Sequence, residues 1–225
     1  MPSAQFIDDI GSRNLMMPSD ASFTTPSGIA NLPNGDPCTK LMANGAAYYT
    51  DPSRFFKQPW GTSGWALELW ISPGNVSTAT ATWLIALGND AAGDWEWSFD
   101  VDNSSWTATF RVYHDGDAAI VTKSVSLTNG NVWQHLVFNC DCTSWVSGGT
   151  STKNITAYKN NVSQGTASNT NSATRNVTSP NPRLWLKAGS GVESSGNHAL
   201  LGKLAIYNHE LTPAEISEHY LSMTT

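Results

Sequence analysis

Positive charge is thin in this chain. Lys and Arg number 12 against 18 Asp and Glu, the formal net charge is −6, and only 13% of the 225 residues are charged at all. So few cations do not make the basic footprint that a phosphate backbone needs, and nucleic acid is not an expected partner. Cysteine is scarcer still. There are three, Cys38, Cys140 and Cys142, and an odd number argues against a disulfide framework. If "CDC" lies on a strand, Cys140 and Cys142 share one face at roughly 6.6 Å between Cα atoms. That is near the upper limit for a bridge, and parallel Cβ vectors suit one poorly. The three are expected as buried or half-buried thiols. Zinc wants about four ligands; "CDC" offers two, and His135 faces the other way by parity. Long apolar runs are missing too. None approaches the roughly 20 residues that span a bilayer, so no membrane partner is expected. The opening "MPSAQFIDDIGSRNL" has neither a basic n-region nor an apolar core, and does not read as a secretory signal. No G-x-S-x-G, P-loop or H-E-x-x-H occurs.

What the chain does have is tryptophan, ten of them, set among Gly, Ser, Thr and Asn. That mix favours many short strands with turns over helices. Strand-like runs are "RNLMM" (13–17), "CTKLMA" (38–43), "AAYYT" (46–50), "WALELWIS" (65–72), "ATWLIAL" (81–87), "WEWSFDV" (95–101) and "WTATFRVYH" (106–114). They continue with "AIVTKSVSL" (119–127), "VWQHLVFNCD" (132–141), "KNITAYKN" (153–160), "VSQGTAS" (162–168), "RLWLKAG" (183–189) and "ALLGKLAIYN" (199–208). The joints are hairpin-like: "NG" at 44–45, "HDGD" at 114–117, "NG" at 129–130 and "NN" at 160–161. Residues 18–37 and 169–182 read as irregular. One segment reads as a helix, the closing "LTPAEISEHYLSM". Thr212 is its N-cap, Pro213 takes the first helical position, and Glu215 completes a capping box. Ile216, Tyr220 and Met223, with Leu221 nearby, form its apolar stripe. The expectation is one all-β domain over residues 1–225, two packed antiparallel sheets with a short C-terminal helix.

The stretch "WEWSFDVD" poses the functional question. With period two, Trp95, Trp97, Phe99 and Val101 share one face, and Glu96, Ser98, Asp100 and Asp102 the other. Catalysis by that acidic row is disfavoured. Glu96 and Asp100 lie about 13 Å apart at Cα, while glycosidase carboxyl pairs stand roughly 5–9.5 Å apart, and Ser98, midway between them, stands where a middle acid should be. Calcium fares little better. "DVDNSS" starts like an EF-hand loop, but Ser105 stands where Gly belongs and Arg111 where Glu belongs. Looser metal candidates are Asp90 and Asp94 in "GNDAAGDW" and Asp115 and Asp117 in "HDGD"; ordinary turn chemistry explains them equally. The remaining reading is a sheet whose aromatic side is buried and whose acids stay wet. His114, His135, His198, His209 and His219 are scattered, and His135 reads as a satisfied sheet histidine. Five N-x-S/T sequons begin at Asn75, Asn103, Asn154, Asn161 and Asn176, as chance allows in an Asn/Thr-rich chain.

The C-terminal "GKLAIYNHELTPAEISEHYLS" resembles the closing signature of laminin-G-like, concanavalin A-type jelly rolls: a strand, "iyn", a short link with a Leu, and a capped helix ending in a Tyr. "WALELWISPG" resembles the family's early "f-x-l-x-W-x-x-p" strand. "NGNVWQHLVFNCD" resembles its "W-x-H-v-x-x-x-D" strand, with Trp133, His135 and Asp141 in place. "KNITAYKNNVSQG" resembles its "l-Y-x-n-G" hairpin, and "DDIGSRNLMM" its "D-x-s-g-x-n-l" start. The resemblance implies a two-sheet jelly-roll sandwich in a family that binds carbohydrates, proteins or cell surfaces and of which most members catalyse nothing. It also implies a calcium site in many members. Here the final strand reads "GKLAIY", with Lys203 near where the family places an acid, so a calcium site of the family type is not expected; no cofactor is expected, with calcium on loop carboxylates elsewhere left open.

Jelly-roll modules grip ligands on a concave face or a loop rim, and exposed aromatics are the usual sugar platform. Trp60 in "KQPWGTSG", Trp106 after "DNSS" and Trp145 in "TSWVSGG" are the ligand-binding candidates, each with the competing reading of a plug at the sandwich end. The expected function is a non-catalytic surface interaction module, foremost a bacteriophage virion protein such as a capsid decoration protein or fibre domain. Its expected partners are virion proteins or a cell-surface glycan or protein, its expected location the virion surface, and a homo-oligomer such as a trimer is expected. The alternative is an extracellular carbohydrate-binding or adhesion module of a secreted bacterial protein. A glycoside hydrolase stands third.

Overall fold

The computed structural model describes residues 32–36, 38–40, 46–50, 64–73, 82–89, 94–102, 105–113, 119–141, 150–171, 183–188 and 200–224. In chain order the elements among them are β1 (Thr39–Lys40), β2 (Ala46–Thr50), β3 (Trp65–Ser72), β4 (Thr82–Asn89), β5 (Asp94–Asp102), β6 (Thr107–Tyr113) and β7 (Ala119–Ser126). Then follow β8 (Gln134–Asp141), β9 (Ser151–Lys159), β10 (Val162–Asn171), β11 (Arg183–Ala188), β12 (Leu200–Tyr207) and the helix α1 (Pro213–Thr224). The strand expected over 13–17 lies outside the described residues, and the one expected over 38–43 is described only at Thr39–Lys40.

The strands form two antiparallel sheets, β1-β12-β3-β8-β9-β10 and β2-β11-β4-β5-β6-β7. Their facing sides make the core. Trp65, Leu67, Leu69 and Ile71 of β3 and Leu136, Phe138 and Cys140 of β8 meet Trp97, Phe99 and Val101 of β5 and Ala108, Phe110 and Val112 of β6. Rings bridge the layers: Trp65 lies 5.5 Å from Phe110, and Phe99 lies 5.8 Å from Phe138. Such tilted and edge contacts are the favoured aromatic geometry. The inward placement of Trp97, Phe99 and Val101 follows from the alternation, and all three are fully buried. Cys38 and Cys140 are buried thiols; burial pushes the Cys38 thiol up. Cys142 lies outside the described residues.

Trp95 departs from the period-two reading. Leu87 pairs with Trp97, yet Gly88 pairs with Trp95, leaving Glu96 as an extra residue. This β-bulge breaks the alternation. Position 95 therefore shares the face of Gly88, opposite to that of Trp97. At the far edge, Asn160 (φ 50°) and Asn161 (φ 63°) make the β9–β10 hairpin. Two left-handed residues in succession are what a type I′ turn demands, and Asn tolerates them.

Helix α1 begins as its sequence dictates. The Thr212 N–H donates to Glu215 Oε2 at 2.7 Å, and the Glu215 N–H donates to Thr212 Oγ1 at 3.3 Å, a reciprocal capping box. Leu211, just before the cap, packs with Ile216 against Ala66 and Val137, the hydrophobic staple of that motif. Asn139 of β8 holds the same point: its Nδ2 donates to Leu211 O at 2.7 Å and its Oδ1 accepts from Leu211 N at 3.0 Å. Ile216 and Met223 are buried, but Leu221, expected beside the stripe, is 53% exposed.

Candidate functional site

The two sheets each have an outer face, and these differ completely. On the first sheet, α1 lies over β3, β8 and β12. Beneath it is a single carboxylate. Glu68 on β3 is 6% exposed and accepts three hydrogen bonds: from His135 Nε2 on β8 at 2.6 Å, from the Tyr207 hydroxyl on β12 at 2.5 Å, and from His219 Nδ1 on α1 at 3.0 Å. A charge buried at that depth survives only with such partners. Burial alone would raise the Glu68 pKa. The bonds from His135 and Tyr207, with the fields of both histidines, outweigh it and hold the carboxyl below its usual range. Burial and the adjacent carboxylate push the Tyr207 phenol up. Trp70, His135 and Tyr220 stack alongside, with the Trp70 and Tyr220 rings 5.8 Å apart and nearly parallel. Three polar groups around a Glu look like catalytic machinery, but they are spent on one another under a helix. What they can do is fasten α1 to the sheet.

The outer face of the second sheet carries no helix among the described residues. The register sets a grid on it. Ser98 of β5 lies opposite Arg111 of β6, which lies opposite Thr122 of β7; the next row is Asp100, Thr109 and Ser124; the next is Asp102, Thr107 and Ser126. The groups are tied in place. Arg111 and Asp100 form an ion pair, their side chains 32% and 20% exposed. The Tyr113 hydroxyl meets Ser98 Oγ at 2.9 Å, reaching diagonally from β6 to β5. Thr109 Oγ1 meets Ser124 Oγ at 3.1 Å. Ser98 and Thr109 are buried, Arg111 and Tyr113 half-buried, and Thr122, Ser124 and Ser126 exposed. The first row continues by pairing through Ala86 of β4 to Trp185 of β11 and Tyr48 of β2. Hydroxyls, one guanidinium–carboxylate pair and an anchored aromatic ring thus share one face.

The sequence candidates fall elsewhere. Trp106 is half-buried and packs against the core cluster. Its backbone turns through φ 50° between β5 and β6, and its carbonyl accepts from the Leu127 N–H at 2.7 Å. Trp60 and Trp145 lie outside the described residues, as do Asp90, Asp115 and Asp117. Asp94 opens β5, opposite Asn89. Asp102 accepts from Ser105 Oγ, three residues on, at 2.8 Å. Tyr113 was not singled out from the sequence. Its signal was the alternation itself: with Phe110 and Val112 inward, Thr109, Arg111 and Tyr113 must face out.

Comparison with known proteins bears on the whole arrangement. The family model described as the concanavalin A-like lectin/glucanases superfamily matches residues 44–217. No curated protein matches the chain. Among solved structures, the binding domain of botulinum neurotoxin serotype G superposes with a TM-score of 0.65 at 14% identity, covering 96% of this chain and 48% of that one. A botulinum neurotoxin type C structure, whose cell entry is described as dependent on two ganglioside molecules, gives 0.65 at 13%, covering 97% and 49%. The binding domain of Paraclostridial Mosquitocidal Protein 1 gives 0.61 at 13%, covering 94% and 48%. The chain spans about half the length of these structures, and likeness at such identity establishes the fold. With a family model matched along most of its length and a two-sheet sandwich to go with it, the chain belongs to the concanavalin A-like lectin/glucanase superfamily.

Proposed function

We propose that the chain is one non-catalytic binding module, residues 1–225, which holds a cell-surface glycan on the outer face of its second sheet. The observation that carries this reading is the Tyr113–Ser98 contact beside the Asp100–Arg111 pair. An apolar ring face suits the C–H face of a sugar, and a guanidinium and a carboxylate side by side offer a donor and an acceptor to neighbouring hydroxyls. Tying the tyrosine down in advance lowers the ordering cost of binding. The Glu68 cluster supports the non-catalytic half, because its groups are committed to one another. Trp60 and Trp145 enter the proposal as further candidate contacts. The proposed binding uses no metal, so EDTA leaves it intact.

The test is a glycan-binding measurement on the wild type and on Tyr113→Ala. The expected result is at least a tenfold weakening, about 1.4 kcal/mol, at an unchanged melting temperature. Equal affinity of the two proteins for every bound glycan overturns the reading. The proposed setting is the outside of a virion, in a homo-oligomer. Its support is compositional: a polar Asn-, Ser- and Thr-rich chain with an odd cysteine count. Copurification with intact virions bears on it directly, and recovery only as a soluble host protein rejects it.

A further inference from the structure

Two features outside the proposal are closed on themselves. The hydroxyl pairs on β9 and β10 (Thr152–Thr170 at 2.9 Å, Thr156–Thr166 at 2.8 Å) satisfy each other, and the Glu68 cluster lies under α1. A third feature is the flank where the two sheets end, at β7 and β10, and neither outer face accounts for it.

Both strands are edges: β7 ends the second sheet and β10 the first. Edge strands are commonly kept short, or carry charges or proline. β10 does none of this. It runs ten residues, Val162–Asn171, without a charged side chain or a proline. A bulge interrupts it between Ser163 and Thr166, around Gly165 at φ 78°, and from Thr166 to Asn171 its pairing with β9 is regular. A long, uncharged edge of this kind offers its unpaired backbone groups to another chain.

Its protection comes from side chains of the neighbouring strands. Lys123 of β7 pairs with Phe110 and stands between Val121 and Val125, on the core-facing side of its sheet. Lys159 of β9 pairs with Leu136 and is core-facing too, as is Lys153, two residues before Ile155. Three of the five Lys and Arg whose burial is described therefore point inward along one flank. Two of them reach backbone carbonyls of the opposite sheet. Lys123 Nζ donates to Gln164 O of β10 at 2.8 Å, and Lys159 Nζ donates to Ser126 O of β7 at 2.8 Å. Asn169 of β10 completes the set: its Nδ2 donates to Ile120 O of β7 at 2.5 Å. β7 lies against β9 and β10, and each of the three carbonyls belongs to an edge strand and is taken by a donor from the other sheet. An ammonium on the core side of a sheet is a costly way to fill space. At an edge it serves another end, because an incoming strand would bury that charge.

We propose that this flank is a strand-addition edge that fits β10 of a second copy of this chain, and that Lys123, Lys159 and Asn169 hold it shut. β10 suits its own copy: two such strands in antiparallel alignment bring no like charges together, whereas a net charge of −6 opposes self-contact in general. The homo-oligomer of the proposed setting then joins through other surfaces, and glycan binding does not depend on this seam.

The experiment follows the mass of the full chain by sedimentation over a range of protein concentrations, with the melting temperature recorded for each variant. The wild type is expected to keep one mass throughout. Lys123→Met/Lys159→Met keeps the apolar stems and removes both ammonium groups; it is expected to form a species of doubled mass whose share rises with concentration. Adding Ser168→Lys, at an exposed position in the regular part of β10, returns the wild-type mass with neither clip restored, because pairing would bring the lysines of two copies together. Asn169→Ala, also at an exposed position, is the milder opening and gives the doubled species in smaller amount; it carries the test alone if the double variant does not fold. Opened variants that keep the wild-type mass at every concentration overturn the proposal. Association that Ser168→Lys leaves untouched overturns β10 as the place of contact. A wild type that itself doubles with concentration, and stops doubling on Ser168→Lys, has an open edge and overturns the lock.

Discussion

The outer faces of the two sheets are built by the same alternation and end in opposite conditions. On the first, β3 is buried along its whole length, because the core takes one side and α1 the other. On the second, Ala108, Phe110 and Val112 of β6 are buried while Thr107, Arg111 and Tyr113 are half-buried, with Thr109 the one buried residue on the outward side, close to the pattern of a sheet with one packed side. The polar groups follow suit. Glu68 gathers donors from three elements, and each removed partner would leave an unsatisfied group in a dry place. Asp100 has one guanidinium, partly in water. Buried polar groups on the closed face hold structure; on the open face Ser98 and Thr109 are buried too, but Asp100 and Arg111 are partly wet and lose little when they part.

The sharpest way to break this contrast is to remove both carboxylates, one at a time. Glu68→Ala leaves His135, Tyr207 and His219 without their acceptor, and a loss of about 3–5 kcal/mol is expected, the usual result of breaking a buried charged pair from one side. Asp100→Ala is expected to cost under about 1 kcal/mol, as partly exposed ion pairs do. Urea unfolding measures both. Equal losses would mean that the open face is structural after all.

Acid offers the next lever. Glu68 has a folded pKa below its unfolded value of about 4.3. Its stabilisation is therefore fully present above that pH and is lost as pH falls through the folded value. Two other carboxyls add to the acid limb with the same sign. Asp36 is lowered by the Asn34 side chain and Lys203, and Glu215 by the Thr212 N–H. Tyr207 acts at the other end. Its raised pKa gives stability present below about pH 10 and lost as pH climbs beyond. Unfolding midpoints between pH 7 and 3 should fall less steeply in Glu68→Gln than in the wild type, with Asp36 and Glu215 contributing to the slope that remains. An unchanged acid slope would remove Glu68 from the account.

What could be read from the sequence divides along the same line. The capping box at Thr212 and Glu215, the Asn160–Asn161 turn and the inward run from Trp97 to Val101 are local, spanning a few residues each, and local chemistry decides them. The family motifs likewise marked the sandwich. The Glu68 cluster joins residues 67, 139 and 151 positions apart. Only the pairing of β3 with β8 and β12 and the packing of α1 over them bring them together, and no spacing rule anticipates that. A hint was present: an acid in the middle of "WALELWIS" must find donors if both faces are covered. The bulge at Glu96 was hidden for the opposite reason. A single extra residue leaves composition and period almost untouched, yet it moves Trp95 to the other face. Loop tryptophans drew attention as binding candidates, while Tyr113, on a strand, needed the register to be placed beside Ser98.

The smallest effect sharpens the contrast most. Thr109 and Ser124 face each other across β6 and β7 on the open face, hydroxyl to hydroxyl at 3.1 Å. A double-mutant cycle with Thr109→Val and Ser124→Ala is expected to give a coupling of about 0.2–1 kcal/mol, the usual worth of a cross-strand pair. Thr109 is the buried partner and Ser124 the exposed one, so Thr109→Val should carry the larger single effect. The cycle asks whether the hydroxyls of this face are needed to hold the sheet together. A coupling within that range leaves them able to turn toward a ligand's hydroxyls, because water or a sugar can replace the partner at little loss. A coupling near the several kcal/mol expected at Glu68 would commit them to the fold, and the open face would then be a second fastening and not a surface for binding.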